Sequence, residues 1–215
     1  MRVLVAALLG GIVMFMWGAI AHMALGLGNV GMRQPVAEDT VLATLHPGLG
    51  DQAGVFILPS VDPAKMGDKA TMAAYSAKAK ASPYAFVVYL PQGDDLSDMS
   101  GQLPRQWASD TLSALMLAFV MALGAFSFMT RLGIAVAASL FAWLSTLIPY
   151  WNWYRFPTSF TLAALVEQVV GWLLAGAVMA WWLGRNGRRR GWACSRTVTG
   201  QTVSAGAVPC NWSLT

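Results

Sequence analysis

Four long apolar runs alternate with more polar segments along the chain. The runs cover residues 3–27, 111–129, 132–150 and 159–183. Each is about as long as the roughly 20 residues that a helix needs to cross a hydrocarbon core of about 30 Å. The pattern therefore predicts four membrane-spanning helices, with the more polar stretch between the first two runs outside the membrane.

Arginines lie beside the ends of these runs. Arg2 precedes the first run, Arg131 separates the second from the third, and Arg185 follows the fourth, with three more at 188–190. Basic residues next to a span stay in the cytoplasm, and these clusters share one side only if the chain crosses four times. We therefore predict a multi-pass protein of a bacterial-type inner (plasma) membrane, with both termini cytoplasmic.

The first run leaves an alternative open. Arg2, the apolar stretch and the small residues at 19–21 resemble a signal peptide with its cleavage site. The run continues past Ala21 to Leu27 and is long enough to span, so we favour an uncleaved anchor. Cleavage would leave three helices in the same orientation.

Small residues recur at four-residue spacing in every run and let helices approach closely. The repeats are Ala6, Gly10, Met14, Gly18, His22 and Gly26 in the first run, Ala114, Ala118 and Ala122 in the second, Ala138, Ala142 and Thr146 in the third, and Ala163, Glu167, Gly171 and Ala175 in the fourth. The predicted fold class is mainly α: a polytopic four-helix transmembrane bundle with a small α/β extracytoplasmic insertion. Short turns should make the second, third and fourth helices neighbours in that order.

The predicted insertion covers residues 29–107, between a first span at 1–28 and the other spans at 108–184. Residues 36–45 have helical spacing and end at a His-Pro-Gly sequence at 46–48. Two apolar runs, 54–59 and 84–91, end in proline and predict paired strands. The alanine-rich residues 65–81 predict a helix between them, and a helix starting near residue 102 should continue into the second span. The tail, 185–215, has no period and is predicted to be disordered.

Composition and charge narrow the functional classes. Charged residues are only 11% of the chain, against about 25% in soluble domains. The net charge of +4 follows the predicted topology and favours contact with anionic membrane lipid, not with nucleic acid. Cys194 and Cys210 lie in the predicted cytoplasmic tail, where a disulfide is not expected. Neither their spacing nor any known catalytic motif predicts a metal, a cofactor or a catalytic residue.

Glu167 is the first candidate for chemistry, because a carboxylate inside a span costs about 2.5–3.5 kcal/mol on insertion scales. His22 lies at a similar depth in the first run, so a contact between the two is plausible if the first and fourth helices touch. Gln168 adds an amide next to Glu167. The set would bind protons or a ligand. The alternative is a structural one, in which Glu167 only joins helices by hydrogen bonds. Either way, Glu167 should face the bundle interior and find a donor.

An aromatic loop at residues 149–157 is the second candidate. Its sequence places Trp151, Asn152, Trp153 and Arg155 among further aromatics, with a proline at each end. Aromatic residues gather at membrane interfaces, which explains part of the pattern. The functional alternative is a lid that docks the α/β insertion or binds a lipid headgroup or a quinone-like ring. We also expect that Arg155 could meet Asp110 at the neighbouring helix end.

Three motifs carry a resemblance to a known group: Trp17-Gly-x-x-x-His22, the run Phe86-Val-Val-Tyr-Leu-Pro, and Tyr150-Trp-Asn-Trp-Tyr. Over residues 3–183 the chain resembles a group of bacterial four-helix inner-membrane proteins that have no assigned function. The resemblance implies the four-span topology. It implies no activity.

Three functions remain open at this point. The favoured one is an integral membrane protein of binding or structural type: an accessory subunit, an assembly factor or an envelope sensor that contacts a protein partner through the insertion. The second is a small transporter or permeability factor that uses Glu167 and His22 and forms a homo-oligomer, since four helices are few for a pathway. The third is a membrane enzyme acting on a lipid or quinone. An enzyme is the less expected outcome because no catalytic constellation is present.

Overall fold

The computed structural model of the protein describes residues 1–95 and 97–185, so most of the tail predicted to be disordered, with both cysteines, lies outside the described residues. Four long helices form most of the structure, and a segment with two shorter helices and two strands lies between the first and the second of them. Their order is α1 (Arg2–Ala19), a π-helical turn (Ile20–Ala24), α2 (Glu38–Leu49), β1 (Gly54–Leu58), α3 (Lys69–Ala81), β2 (Ala85–Tyr89), α4 (Gln102–Ala122), α5 (Phe128–Trp153) and α6 (Thr158–Gly184).

Within these described residues, three helical segments are long and apolar enough to cross a membrane: Arg2–Ala24, Phe128–Trp153 and Thr158–Gly184. The predicted second span, 111–129, is wrong in its bounds. Helix α4 ends at Ala122, and Ser127 caps α5 by accepting a hydrogen bond from the Thr130 N–H. The cap starts α5 before Arg131, so the last residues of the predicted second span belong to α5. The polar first half of α4 lowers its hydropathy below that of the other three.

The long helices pack in the order α4, α1, α6, α5. This corrects the expectation that the second helix neighbours the third, because α4 contacts α1 far more than α5. The third and fourth helices, α5 and α6, are neighbours as expected. Glycines of α1 explain the order. A Cβ added at Gly10 would lie 2.6 Å from the Met179 sulfur of α6 and 3.1 Å from Ala114 of α4. At Gly11, it would lie 2.7 Å from the Thr111 Cα. Helix α1 can therefore hold a helix on each side.

The predicted small-residue faces are partly confirmed. Ala6, Gly10 and Met14 of α1, Ala114 and Ala118 of α4, and Gly171 and Ala175 of α6 are all buried. The face predicted for α5 is wrong: its buried residues are Arg131, Ala135 and Ser139, and Ala138 and Ala142 are exposed. Helix α5 turns this other face toward α6, where a Cβ at Gly176 would meet Ala135 at 2.5 Å.

The insertion between α1 and α4 has the predicted α/β composition. Strands β1 and β2 pair antiparallel, with Gly54 opposite Tyr89 and Leu58 opposite Ala85, and α3 connects them. Helix α2 runs past its predicted stop, through Pro47, and ends at Gly50, whose φ of 82° suits glycine. Helix α3 begins later than predicted, at Lys69, because Asp68 caps it by accepting from the Thr71 N–H and hydroxyl. Those bonds lower the pKa of Asp68.

This insertion has almost no core of its own. Among its described residues, 29–95 and 97–101, only Pro59 and Tyr89 are buried. Tyr89 packs edge-on against Phe56, with ring centroids 6.0 Å apart, and its hydroxyl lies 3.2 Å from Nδ1 of His46. One tyrosine thus ties the sheet to α2. We refer to residues 29–101 as the module and to α1, α4, α5 and α6 as the bundle.

Candidate functional site

Glu167 and His22 meet at the seam between α6 and α1. Oε1 of the carboxylate lies 2.9 Å from Nε2 of the imidazole. The Trp17 indole N–H donates to the backbone carbonyl of Glu167, at 2.9 Å. The expected contact is confirmed, and Glu167 faces helix one with a donor within reach. The Ser145 hydroxyl of α5 does not serve Glu167, because it donates to the Phe141 carbonyl in its own helix.

A π-helical turn gives the pair its geometry. The four-residue spacing predicts that His22 shares a face with Gly18, yet a Cβ at Gly18 would meet nothing within 4 Å. The π turn at Ile20–Ala24 contains one extra residue per turn. This extra residue rotates His22 onto the side that carries Trp17, so both side chains reach Glu167. Gly171, one turn further along α6, packs against Trp17 and lets the two helices come together.

The chain after the π turn closes over the histidine. Gly26 reverses the direction with a φ of 65°, and a short 3-10 helix, Leu27–Asn29, follows. A Cβ added at Gly28 would overlap Nδ1 of the His22 ring. Glycine at position 28 therefore leaves room for the imidazole, whose Nδ1 faces this backbone while its Nε2 faces the carboxylate.

Gln168 points away from the pair. Its side-chain oxygen accepts from the Trp172 indole N–H at 3.1 Å, and both residues line an open groove of about 720 Å³ between α4 and α5. Asp110 of α4 lines the same groove and is only 9% exposed. It accepts a hydrogen bond from the Gln106 side chain at 2.9 Å. We call this feature the lateral groove. Glu167 and Gln168 are adjacent in sequence, yet Glu167 contacts His22 and Gln168 lines the lateral groove.

The aromatic loop docks the module. Helix α5 runs through Pro149 to Trp153, and the chain reverses over the next residues. The Phe86 ring of β2 contacts Tyr154 and Phe156, with centroids 5.0 and 5.7 Å apart. Tyr150 packs on both of those rings from the α5 side. Through this cluster the insertion contacts the loop, as one of the two functional alternatives for the loop expected.

A cavity of about 710 Å³ lies where the module meets the loop. It is lined by Ile57, Pro59, Tyr75, Ala79, Tyr84, Trp153, Tyr154 and Arg155. Arg155 adopts a φ of 59°, a left-handed conformation that costs free energy in a residue other than glycine. We call this the junction cavity. Its phenol, indole and guanidinium groups suit a ligand with an anionic or acceptor group.

The remaining loop residues sit apart from that cavity. Trp151 and Asn152 line a smaller pocket of about 280 Å³ with Arg155 and Phe156. The Trp151 indole also donates to the Thr158 hydroxyl at 3.1 Å. The expected contact between Arg155 and Asp110 is not formed, since Asp110 takes its hydrogen bond from Gln106 one turn away.

The predicted site residues therefore form separate groups. Glu167 follows the start of α6 at Thr158 by nine residues, or about 13 Å at 1.5 Å per residue. The His22–Glu167 contact thus lies well below the loop residues. Within residues 1–95 and 97–185, no cluster of three or more His, Cys, Asp or Glu side chains could hold a metal ion.

Sequence reasoning missed several contributors to these sites. Trp17 and Gly28 hold the His22–Glu167 pair, and the five-residue step from Trp17 to His22 is a signal only if a π turn is assumed. The sequence predicted Phe86 as part of a strand but did not predict its contact with the aromatic loop. Tyr75 and Tyr84 of the junction cavity come from different elements, so only the tertiary fold brings them beside the loop.

Comparison with known proteins adds no assignment: no protein family, no curated protein and no solved structure matches this chain.

Proposed function

We propose that this chain is an inner-membrane protein of binding or structural type that crosses the membrane four times and contacts a protein partner through its extracytoplasmic module. An accessory subunit, an assembly factor or an envelope sensor would all act in this way. The observation that carries the proposal is the module's lack of a core. A folded segment with two buried residues has little apolar packing of its own to stabilise it.

Apolar surface on the module is available to a partner. Val55 and Val88 stand opposite each other in the sheet and are 60% and 72% exposed. A two-stranded sheet also leaves two strand edges with backbone groups that a third strand could pair. Helix α2 adds exposed Val41 and Leu42. Apolar side chains grouped beside open strand edges are typical of a protein contact surface.

Arginine contacts support the proposed orientation. At the end of the bundle away from the module, the Arg2 guanidinium donates to the Leu183 carbonyl at 2.6 Å, and Arg131 donates to the Met121 carbonyl at 3.1 Å. Arg185 lies over the rings of Trp181 and Trp182, at 4.7 and 5.2 Å. Three cations at one end, on terminal carbonyls and interfacial aromatics, are typical of a cytoplasmic membrane face.

Helix α4 is the proposed fourth crossing. Its 21 residues would span about 31 Å at 1.5 Å per residue. Its polar residues occupy the half near the module, so they would lie toward the interface, while the apolar half would lie at depth. Crossing by α4 is what puts the module on the side opposite the arginines.

Transport has less support than partner binding. A transporter would use Glu167 and His22 in a wet pathway through the bundle. Here the two side chains, 24% and 57% exposed, pair with each other at the α1–α6 seam, and Trp17 donates to the Glu167 backbone beside them.

Site-specific photo-crosslinking in membranes tests the proposal. A photoreactive residue at Val88 should give a discrete protein adduct, while one at Leu144, exposed on α5, should give lipid adducts only. Reporter fusions after Pro91 and after Gly184 should read opposite sides of the membrane. Absence of an adduct at Val88 and at Val55, together with Glu167-dependent ion flux in proteoliposomes, would contradict partner binding and favour transport.

A further inference from the structure

The lateral groove between α4 and α5 has the form of a binding site for an amphiphile. The two helices are consecutive in the chain, yet they pack on opposite sides of the α1–α6 pair and leave a groove of about 720 Å³ between them. That volume is typical of small-molecule sites, which run from about 300 to 1,000 Å³.

One wall of the groove changes character along its length. The lining residues of α4 recur with the spacing of a single helix face: Gln106, Ser109, Asp110, Ser113, Met116, Leu117 and Val120. The first four are polar and the last three are apolar. Helix α5 runs antiparallel to α4 and provides Ile134 opposite these apolar residues, so the half of the groove far from the module is apolar on both walls. A ligand that fits would have a polar head near the module and a hydrocarbon chain below it.

Charge decides which head fits. Asp110 is only 9% exposed to solvent. Of its two carboxylate oxygens, only Oδ1 accepts the hydrogen bond from Gln106. Among the described residues that line the groove, none is a lysine, arginine or histidine. A buried carboxylate without a cation is costly, and an ammonium group would neutralise it while donating hydrogen bonds.

We propose that the lateral groove binds a membrane amphiphile whose headgroup carries a primary amine, with the ammonium on Asp110 and a hydrocarbon chain between α4 and α5. A zwitterionic phosphoethanolamine lipid is the simplest such molecule in a membrane. The Arg105 guanidinium lies one turn toward the module from Ser109, folded back near Gly101, where a headgroup phosphate would emerge. The inference rests on the proposed crossing by α4, but it does not depend on a partner for the module.

Lipid retention by the full chain tests this. The protein is reconstituted with equal amounts of phosphoethanolamine, phosphocholine and phosphoglycerol lipids of identical acyl chains, extracted in mild detergent, and its retained lipids are counted by native mass spectrometry. We expect about tenfold enrichment of the amine lipid over the phosphoglycerol lipid, the factor that one charge-assisted hydrogen bond supplies. Equal retention of all three lipids, or preference for phosphocholine or phosphoglycerol, would overturn the proposal.

Two variants locate the site. Asp110→Asn keeps an acceptor for Gln106 and should abolish the enrichment. Ala138→Phe fills the apolar half of the groove and should reduce retained lipid, whereas Ala137→Phe, on an exposed position outside the groove, should behave like the parent chain. Enrichment that survives Asp110→Asn, or retention that survives Ala138→Phe, would refute this site.

If a photoreactive group at Phe141 captured a protein in place of lipid, a partner's lysine would be the occupant and the lipid proposal would fail. These readouts are separate from the adduct at Val88, so either proposal can fail alone.

Discussion

The bundle and the module differ in how closely their elements pack. Bundle helices approach so closely that Cβ atoms at Gly10, Gly11 and Gly171 would collide with their neighbours. The module instead has two buried residues among those that the structure describes, and an aromatic cluster joins its sheet to the bundle. Close backbone packing makes the bundle a fixed platform. The module keeps its apolar side chains outside, where a partner can reach them.

The largest expected effect is in the bundle. Gly11→Ala places a Cβ against the Thr111 backbone, which cannot rotate away, so α1 and α4 must separate. We expect a loss of about 2 kcal/mol in the free energy of unfolding in detergent, as for overpacked cores. Gly18→Ala is the matched control, because it changes the same residue type in the same helix at an open position. It should leave stability unchanged or raise it by up to about 1 kcal/mol. Equal effects from both would mean that close α1–α4 packing does not stabilise the bundle.

The second effect concerns the junction between the two regions. Phe86→Ala removes two aromatic contacts, each worth about 0.5–1.5 kcal/mol beyond the buried area. The module should detach locally, so proteolysis should cleave within residues 29–101 several times faster while the bundle stays intact. Val88→Ala, two residues along the same strand and facing solvent, should not change the cleavage rate. Unaltered proteolysis of the Phe86 variant would show that other contacts hold the module.

The third effect concerns the His22–Glu167 pair. Glu167→Gln keeps a hydrogen-bonding group and should change the melting temperature little, while Glu167→Leu should lower it because His22 loses its partner. Gly28→Ala should resemble Glu167→Leu, since the added Cβ displaces the imidazole. The His22 ring signals in NMR spectra report the displacement directly. Unshifted His22 signals in the Gly28→Ala variant would contradict the close approach of the imidazole to Gly28.

The smallest effect lies within the module. Hydrogen bonds from Thr71 lower the pKa of Asp68, so the folded state favours the ionised carboxylate. Its contribution to stability is therefore present above the unfolded pKa of 3.8 and is lost as the pH falls through the lower folded value. Hydrogen exchange at the first turn of α3 should accelerate in Asp68→Ala, but not in Asp68→Asn, which retains the cap. Equal exchange rates in the two variants would show that the cap does not order this turn.

Much of the fold could be predicted because its signals are local. Hydrophobic runs located α1, α5 and α6, and the proline-bounded runs located both strands, which pair as expected. The bounds of α4 could not be predicted, because one apolar run covers its end, a turn and the start of α5, and the Ser127 cap that separates them is a single residue. The contact of Glu167 with His22 was predictable from the similar depth of the two residues, but not from the predicted face of α1. The π turn that rotates His22 onto the side of Trp17 was not predictable, nor was the hydrogen bond from the Trp17 indole to the backbone carbonyl of Glu167.

Sequence by itself determined which segments are apolar enough to enter a membrane, where the basic residues gather, and that a carboxylate and an imidazole lie at similar depth. These properties depend on neighbours along the chain. Only the tertiary structure decided that α4 packs on α1, that Phe86 reaches the aromatic loop, and that Asp110 faces a groove without a cation. Each of these depends on which face of a helix meets which neighbour, and that choice is made by close packing at a few glycines between elements far apart in the chain.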